Sequence, residues 1–543
     1  MTFLRQLIAL TLIISPLLIR SPLTLAKELP QLIQQNRQQL LTVDGKPFFM
    51  LGGELGNSSA SNMDYMKDIW PKLKAMSLNT LLAPVYWELI EPKEGEFDFS
   101  LVDQLLKEAE KQQIKLVILW FGSWKNSMSC YVPAWVKRDQ QRFPRAKDSQ
   151  GRSQEILTPF SDANLMADLK AYSALMDYLH KKDKQHTVIM MQVENEIGML
   201  PSARDYHPGA NKAFAAAVPT ELMQYLTQHQ AQLAPELLQR WQAQGSPTQG
   251  NWEDVFGKSL ATDEIFMAWH FARFTNAIAA AGKALHPIPA YVNAALNRPN
   301  VKPGDYPSAG PLPQVMDIWQ AGAPAIDIFA PDFYNPDFKA WNDLYTRNNK
   351  ALFIPEHHFD ETLAAKAFFA FGQYNTLGFS PFSIESVEDA ANEPLGKTYR
   401  TLHQLTNLLV QYPAKTHRAG VLLDKQNSEQ KVILGDYEFT FRHDYTLGWS
   451  PAAKEDEWPT AGALIIQTGA EDYVVAGTGI VVTFKNRNAD KIAGIDRIEE
   501  GNYVKGKWQR GRVMNGDQDH QGRHLRIEVG NYGIQQLKLY SYE

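Results

Sequence analysis

Eight short apolar runs, each followed by a stretch with helical spacing, set the tightest limit on what this chain can fold into. The runs lie at 48–51, 80–85, 116–120, 188–193, 289–293, 326–330, 352–355 and 378–384. Between them, Val102, Leu105, Leu106 and Ala109 recur at helical intervals behind Ser100, a candidate N-cap with Asp103 three residues on. Leu165, Leu169, Tyr172, Met176 and Leu179 recur in the same way. Strand then helix, repeated, is the rhythm of β-α units and implies a parallel sheet. Eight units predict an α/β fold, a (β/α)8 TIM barrel closed by a helical pattern at 399–409.

The chain is longer than one barrel needs. At 543 residues it exceeds a minimal barrel of about 250 residues, so insertions and a companion domain are expected. One insertion, at about 201–257, follows the fourth run. Loops at that end of a strand line the catalytic face of a barrel, so the segment is expected to wall or lid the pocket. Past Pro413 the texture changes to short strands with Gly, Asn and Asp turns, such as 463–467 and 480–484. These predict a C-terminal all-β, sandwich-like domain over 413–543, after a barrel over 27–412. Trp449, Trp458 and Tyr473 are assigned to packing in that domain, since aromatic residues in small β domains mostly fill cores.

Hydrophobic residues at 44% and charged residues at 21% mark a globular chain with a sizeable core. Lys and Arg are scattered and the formal net charge is −6, which gives nucleic acid no electrostatic footprint. Arg5, the apolar stretch 7–19 and Thr24-Leu25-Ala26 form a secretory signal pattern. The apolar stretch is shorter than the ~20 residues a spanning helix needs, so cleavage after Ala26 is expected in preference to an anchor. The mature protein is then periplasmic or secreted, with no membrane association. Cys130 is the single cysteine, which rules out an internal disulfide, and nothing beside it would lower its pKa; it reads as a small buried residue.

The chemistry concentrates at two strand ends. In Met190-Met191-Gln192-Val193-Glu194-Asn195-Glu196 an apolar strand runs into two carboxylates and an amide, and in Leu352-Phe353-Ile354-Pro355-Glu356-His357-His358 another ends in a carboxylate. Polar side chains at the carboxyl ends of barrel strands face the pocket, and alternation along a strand would put Glu194 and Glu196 on one face. Two carboxylates in one pocket suit glycoside cleavage, where the leaving oxygen needs a proton while positive charge grows on the sugar ring. His357 and His358, being adjacent, point to opposite sides of a strand, and other potential ligands are dispersed, so neither a metal centre nor a cofactor is expected.

Asn195-Glu196 ending the fourth strand and Glu356 ending the seventh resemble the catalytic positions of the large barrel clan of retaining glycosidases. Val85-Tyr86-Trp87-Glu88-Leu89-Ile90-Glu91-Pro92 with Gly95-Glu96-Phe97-Asp98-Phe99 resembles glycoside hydrolase family 35, the β-galactosidases. Gly52-Gly53-Glu54-Leu55, Ile354-Pro355-Glu356 and Gly378-Phe379-Ser380-Pro381-Phe382 resemble a bacterial branch of it with an extra C-terminal β domain. The chain departs from the family pattern at Ile90, where His is usual, and at Trp124-Lys125-Asn126, where a small residue followed by Glu is usual. Both departures bear on sugar contacts.

The resemblance implies a retaining mechanism with Glu196 as acid/base and Glu356 as nucleophile, Asn195 on the sugar 2-hydroxyl, and Tyr334 orienting Glu356. Glu54, Tyr86, Glu88, Trp120, Lys125 and Asn126 are candidate pocket residues, each with a loop-holding role as the alternative. Glu194 is read equally as a partner behind the site and as half of a buried pair. The implied substrate is a terminal β-galactoside of an oligo- or polysaccharide. A β-glucosidase or α-L-arabinosidase of the same clan would share the glutamate pair, and a noncatalytic carbohydrate-binding protein would bind sugar without turnover.

Overall fold

The computed structural model describes residues 28–297 and 300–543; the signal pattern at 1–26 lies outside the described residues. Each of the eight apolar runs overlaps a strand: β1 (Met50–Glu54), β2 (Thr80–Tyr86), β3 (Lys115–Lys125), β4 (Val188–Asn195), β5 (Ala290–Ala295), β6 (Ile328–Phe333), β7 (Leu352–Ile354 and Glu356–His357) and β8 (Thr376–Phe379). All pairings between them are parallel, in the order β7-β8-β1-β2-β3-β4-β5-β6-β7. The ring closes because β7 is split. Its first piece pairs with β8 (Ile354↔Phe379) and its second with β6 (Asp332↔Glu356). Pro355 stands at the break and has no N–H to give to either neighbour. The eighth strand ends earlier than its apolar run because the chain turns at Ser383, in left-handed backbone (φ 55°), into a 3-10 turn at Ile384–Ser386.

A helix follows each strand: α1 (Ile69–Ala75), α2 (Ser100–Gln112), α3 (Asp162–Lys182), α4 (Leu260–Leu285), α5 (Met316–Gly322), α6 (Phe338–Tyr345), α7 (Leu363–Gln373) and α8 (Pro394–Gln411). Two local expectations are corrected. Ser100 is the first helical residue of α2 and does not cap it; its amide donates to Asp98 Oδ1 at 2.8 Å, so the aspartate two residues upstream satisfies the helix start. On α3, Leu165 and Leu169 are half-buried, whereas Asn164 and Asp168 are fully buried because each is hydrogen-bonded there.

The segment after β4 forms four short helices, Pro208–Ala215, Thr220–Gln228, Pro235–Ala243 and Trp252–Phe256. Their contacts run to the flank of the barrel. Phe214 and Trp252 pack on Phe266 of α4, Tyr225 Oη donates to Gln320 Oε1 of α5 at 3.1 Å, and the Ala234 amide donates to Asp317 of α5. The segment thus packs along α4 and α5, and its Leu222, Leu226, Leu237 and Trp241 are buried.

Past α8 the strands are antiparallel. β9 (Arg418–Leu423), β12 (Ala461–Gln467), β13 (Asp472–Thr478), β18 (Gly533–Tyr542), β15 (Ile492–Val504) and β16 (Lys507–Met514) make a six-stranded sheet in that order. β10 (Glu429–Leu434), β11 (Tyr437–His443), β14 (Ile480–Asn486) and β17 (Leu525–Ile527) make a four-stranded one. Phe439, Phe441, Ile465, Val475 and Val482 are buried in one cluster between the two sheets. Tyr473 is buried there and Trp458 packs on His443, whereas Trp449 is exposed with Arg526 over its ring. Cys130 is buried, which raises its thiol pKa. No described helix is long and apolar enough to cross a membrane.

Candidate active site

The carboxyl ends of β1, β3, β4, β6 and β7 bring charged side chains to one place. One oxygen each from Glu196, Asp332 and Glu356 lie within 4.8 Å of one another, and all three residues are buried. Glu54, at the end of β1, is buried, and both its oxygens are unpartnered among the described residues. Lys125, at the end of β3, brings the ammonium that faces these carboxyls. Four carboxyls around one cation cannot all ionise cheaply at close range, so the proton distribution is set by local bonds.

Burial, then Glu356, pushes Glu196 up to about 7, while Lys125 pulls in the other direction. Glu54 and Asp332 are held well above the carboxylate range, by burial first and Glu356 next. Glu356 is raised by burial but lowered by Lys125 and by the Tyr334 hydroxyl, which donates to Glu356 Oε1. Its other oxygen, Oε2, has no partner among the described residues. Burial thus raises both glutamates, but Lys125 and the Tyr334 hydroxyl draw Glu356 back toward the anion, while Glu196 is poised to carry a proton near neutrality.

Asn195 sits beside the pair with a defined amide orientation. Lys125 Nζ donates to its Oδ1 at 2.7 Å, and because an ammonium has no acceptor, the carbonyl end must face the lysine. The Asn195 Nδ2 is buried and unpartnered among the described residues, a donor held ready for a ligand oxygen. Asn126, in left-handed backbone (φ 55°), ties the end of β3 to β4 through its amide to the Asn195 carbonyl at 3.2 Å.

Glu194 does not share the face of Glu196. Both residues have left-handed backbone (φ 62° and 44°), which breaks the two-residue alternation of a strand. Glu194 turns behind the sheet, where its Oε2 accepts from the Trp124 amide at 2.8 Å and its carboxyl meets Asp168 of α3. Trp120 is behind the sheet as well: its Nε1 donates to Asp168 at 2.9 Å and its ring stacks on Trp87. Glu88 is engaged by Lys137 Nζ at 3.0 Å, and Tyr86 packs between Phe121 and Tyr131. Of the candidate pocket residues, then, Glu54, Lys125, Asn195 and Tyr334 gather around the glutamates, and Trp120 and Glu88 are occupied elsewhere.

Three members of the cluster escape the sequence reading: Asp332, Asn293 and Tyr291. Asn293 bridges the site from beneath, accepting from the Glu196 amide at 2.9 Å and donating to Asp332 at 2.6 Å. Tyr291 is buried with its hydroxyl unpartnered among the described residues. The strand-end rule that picks out Glu196 and Glu356 also points to Asp332, two residues past the run 326–330, and to Asn293, which ends the run 289–293.

Residues 40–239 match the family model described as Glycosyl hydrolases family 35. Over that segment the chain is similar to glycosyl hydrolases of family 35. Residues 395–526, which begin inside α8, match a domain of unknown function, DUF5597. A β-galactosidase of Xanthomonas manihotis is 30% identical over 162 residues, covering 28% of this chain and 25% of that protein. The human beta-galactosidase-1-like protein 3 is 26% identical over 194 residues, covering 34% of this chain and 27% of that protein. The matched segments span about a quarter of these curated relatives' length. Among solved structures, the β-galactosidase of Bacillus circulans sp. alkalophilus has TM-score 0.47 and 13% identity, covering 68% of this chain and 58% of that one.

Proposed function

We propose that this chain is a family 35 glycoside hydrolase, an exported, retaining exo-β-galactosidase that releases terminal β-galactose from oligo- or polysaccharides. The observation that carries the reading is the Glu196–Glu356 pair, with oxygens within 4.8 Å of each other, Glu196 raised to about 7 and Glu356 drawn back toward the anion by Lys125 and the Tyr334 hydroxyl. A retaining enzyme needs its two carboxyl groups ~5 to 5.5 Å apart, whereas an inverting one leaves ~6.5 to 9.5 Å for a water. The names of the relatives support the sugar, and the N-terminal pattern of Arg5, the apolar stretch 7–19 and Ala26 supports export.

In the first step Glu196 gives its proton to the glycosidic oxygen as the C1–O bond breaks, and Glu356 bonds to C1. In the second, water attacks C1, Glu196 takes the proton of that water, and the Glu356–C1 bond breaks to release the sugar with its original configuration. Tyr334 holds Glu356 in line, and the Asn195 amide donates to the 2-hydroxyl, where a bond that tightens at the transition state counts most.

The test is a panel of aryl β-galactoside, β-glucoside, β-mannoside and α-arabinoside with chelator present. Preference for the β-galactoside is expected. Glu356→Ala should fall to background on every substrate. Glu196→Ala should lose about 10²- to 10⁴-fold on poor leaving groups and far less on activated aryl ones. Turnover of another glycoside would keep the mechanism and overturn the sugar, and sugar binding without turnover would overturn both.

A further inference from the structure

A cleft of about 580 Å³ opens between the barrel and the β domain, and it begins at the residue that holds Glu356. On the barrel side it is lined by Tyr334 and His358, and on the other by Asp424, Asn427 and Thr460 from the turns that flank β9 and β12. Tyr334 reaches the site with its hydroxyl, yet 52% of the residue is exposed. The ring of His358, also exposed, stands 6.0 Å from it at a tilt. Two aromatic faces therefore stand at the point where the cleft leaves the carboxylate cluster.

The charges in the cleft are already engaged. Lys339 Nζ donates to the Leu422 carbonyl at 3.1 Å and so closes the floor from barrel to β domain. Lys366 lies 3.2 Å from His357 Nε2 and 3.8 Å from Asp360. Asp337 caps α6 through the Ala340 amide at 3.2 Å, and Asp424 accepts from the Asn427 amide at 2.6 Å. A wall of this kind favours a neutral ligand with many hydroxyls, which can stack a C–H face on a ring and bond to an amide and a hydroxyl. The volume falls in the range of ~300 to 1,000 Å³ usual for small-ligand sites.

We infer that this interdomain cleft binds the neutral sugar units on the leaving side of the substrate, so that the C-terminal domain contributes directly to oligosaccharide recognition. The inference rests on the exo-galactosidase reading, in which all sugars beyond the cleaved one lie on the leaving side. It gives the β domain a part in substrate choice that the barrel alone would not supply.

Asn427→Ala and Thr460→Leu alter the wall from the β-domain side, away from the carboxylates. Kinetics are measured for each on an aryl β-galactoside and on the best cleaved member of a set of galactose-terminated tri- and tetrasaccharides. The expected result is a KM about three- to tenfold higher on the oligosaccharide, as for a lost hydrogen bond or two, with the aryl substrate unchanged. An unchanged oligosaccharide KM in both variants, or a parallel loss on the two substrates, would overturn the cleft. No turnover of any galactoside by the unaltered protein would instead sink the galactosidase reading, and the leaving-side assignment with it.

Discussion

At the scale of single residues, Lys125 is the position on which the site's proton distribution turns. It lowers Glu356, Glu196, Glu54 and Asp332 together and fixes the amide of Asn195. Lys125→Met removes that positive charge, so the carboxyl pKa values rise. Activity needs Glu356 ionised, which sets the acid limb of the pH profile, and Glu196 protonated, which sets the basic limb near 7. Both limbs of kcat/KM should therefore move to higher pH, and the preference for galactoside over 2-deoxygalactoside should shrink as Asn195 loses its orientation. A profile that falls in height without moving would make Lys125 a structural residue only. The two glutamates are legible in the sequence because each ends an apolar strand. The true direction of Glu194 is not, because a left-handed φ at two alternate positions is invisible in a pattern of polar and apolar letters. Trp120 misleads for a related reason: a bulky ring on a barrel strand suits the pocket or the helix layer, and only the partner Asp168 on α3 decides which.

Elements meet through a polar lock behind β3 and β4. Asp168 of α3 accepts from Trp120 Nε1 and from the Ser123 hydroxyl, and it faces Glu194, whose carboxyl burial and Asp168 together hold well above its ordinary pKa. A carboxyl whose folded pKa is raised contributes stability that is complete below its unfolded pKa and is lost as pH rises through the folded one. Stability should thus decline on the alkaline side as the Glu194 proton leaves. Glu194→Gln keeps an acceptor for the Trp124 amide and a donor for Asp168 without a titrating proton, so its Tm-against-pH curve should flatten there. A curve parallel to the unaltered protein would remove Glu194 from that role. Asp168→Ala strands an indole N–H and a hydroxyl in the interior and should cost about 2 to 4 kcal/mol in urea unfolding. The strands and helices themselves are readable from period alone, and Asp168 shows where that reading stops: a buried charge on a helix face is read as solvent-facing unless its partners are known.

For the molecule as a whole, the question is whether barrel and β domain are separable, and the packing says they are one body. α7 carries Leu-Ala-Ala-Lys-Ala-Phe-Phe-Ala-Phe-Gly and is buried nearly all round, so it needs cover on its outer side as well as from the barrel. β9 and β12 supply that cover at a distance only glycine permits. A Cβ at Gly462 would overlap the Ala365 backbone, and one at Gly420 would overlap the Phe369 carbonyl. Arg418, fully buried, then donates to the carbonyls of Phe371, Tyr374, Leu409 and Tyr412, the last turns of α7 and α8. The change of texture at Pro413 is visible in the sequence, but this seam is not, because a glycine chosen for close approach looks like a glycine chosen for a turn. Heat should accordingly unfold the described residues in one transition. Gly462→Val forces β12 away from α7, strains the Arg418 bonds and widens the interdomain cleft, so it should lower Tm by about 1 to 3 degrees, an overpacking cost of about 1 to 3 kcal/mol spread over one large cooperative unit. Its KM for galactose-terminated oligosaccharides should rise while the aryl substrate is spared. Two separated transitions in the unaltered protein, or a Gly462→Val protein of full stability, would mean that the sheet does not rest on α7 and that the cleft has no fixed wall.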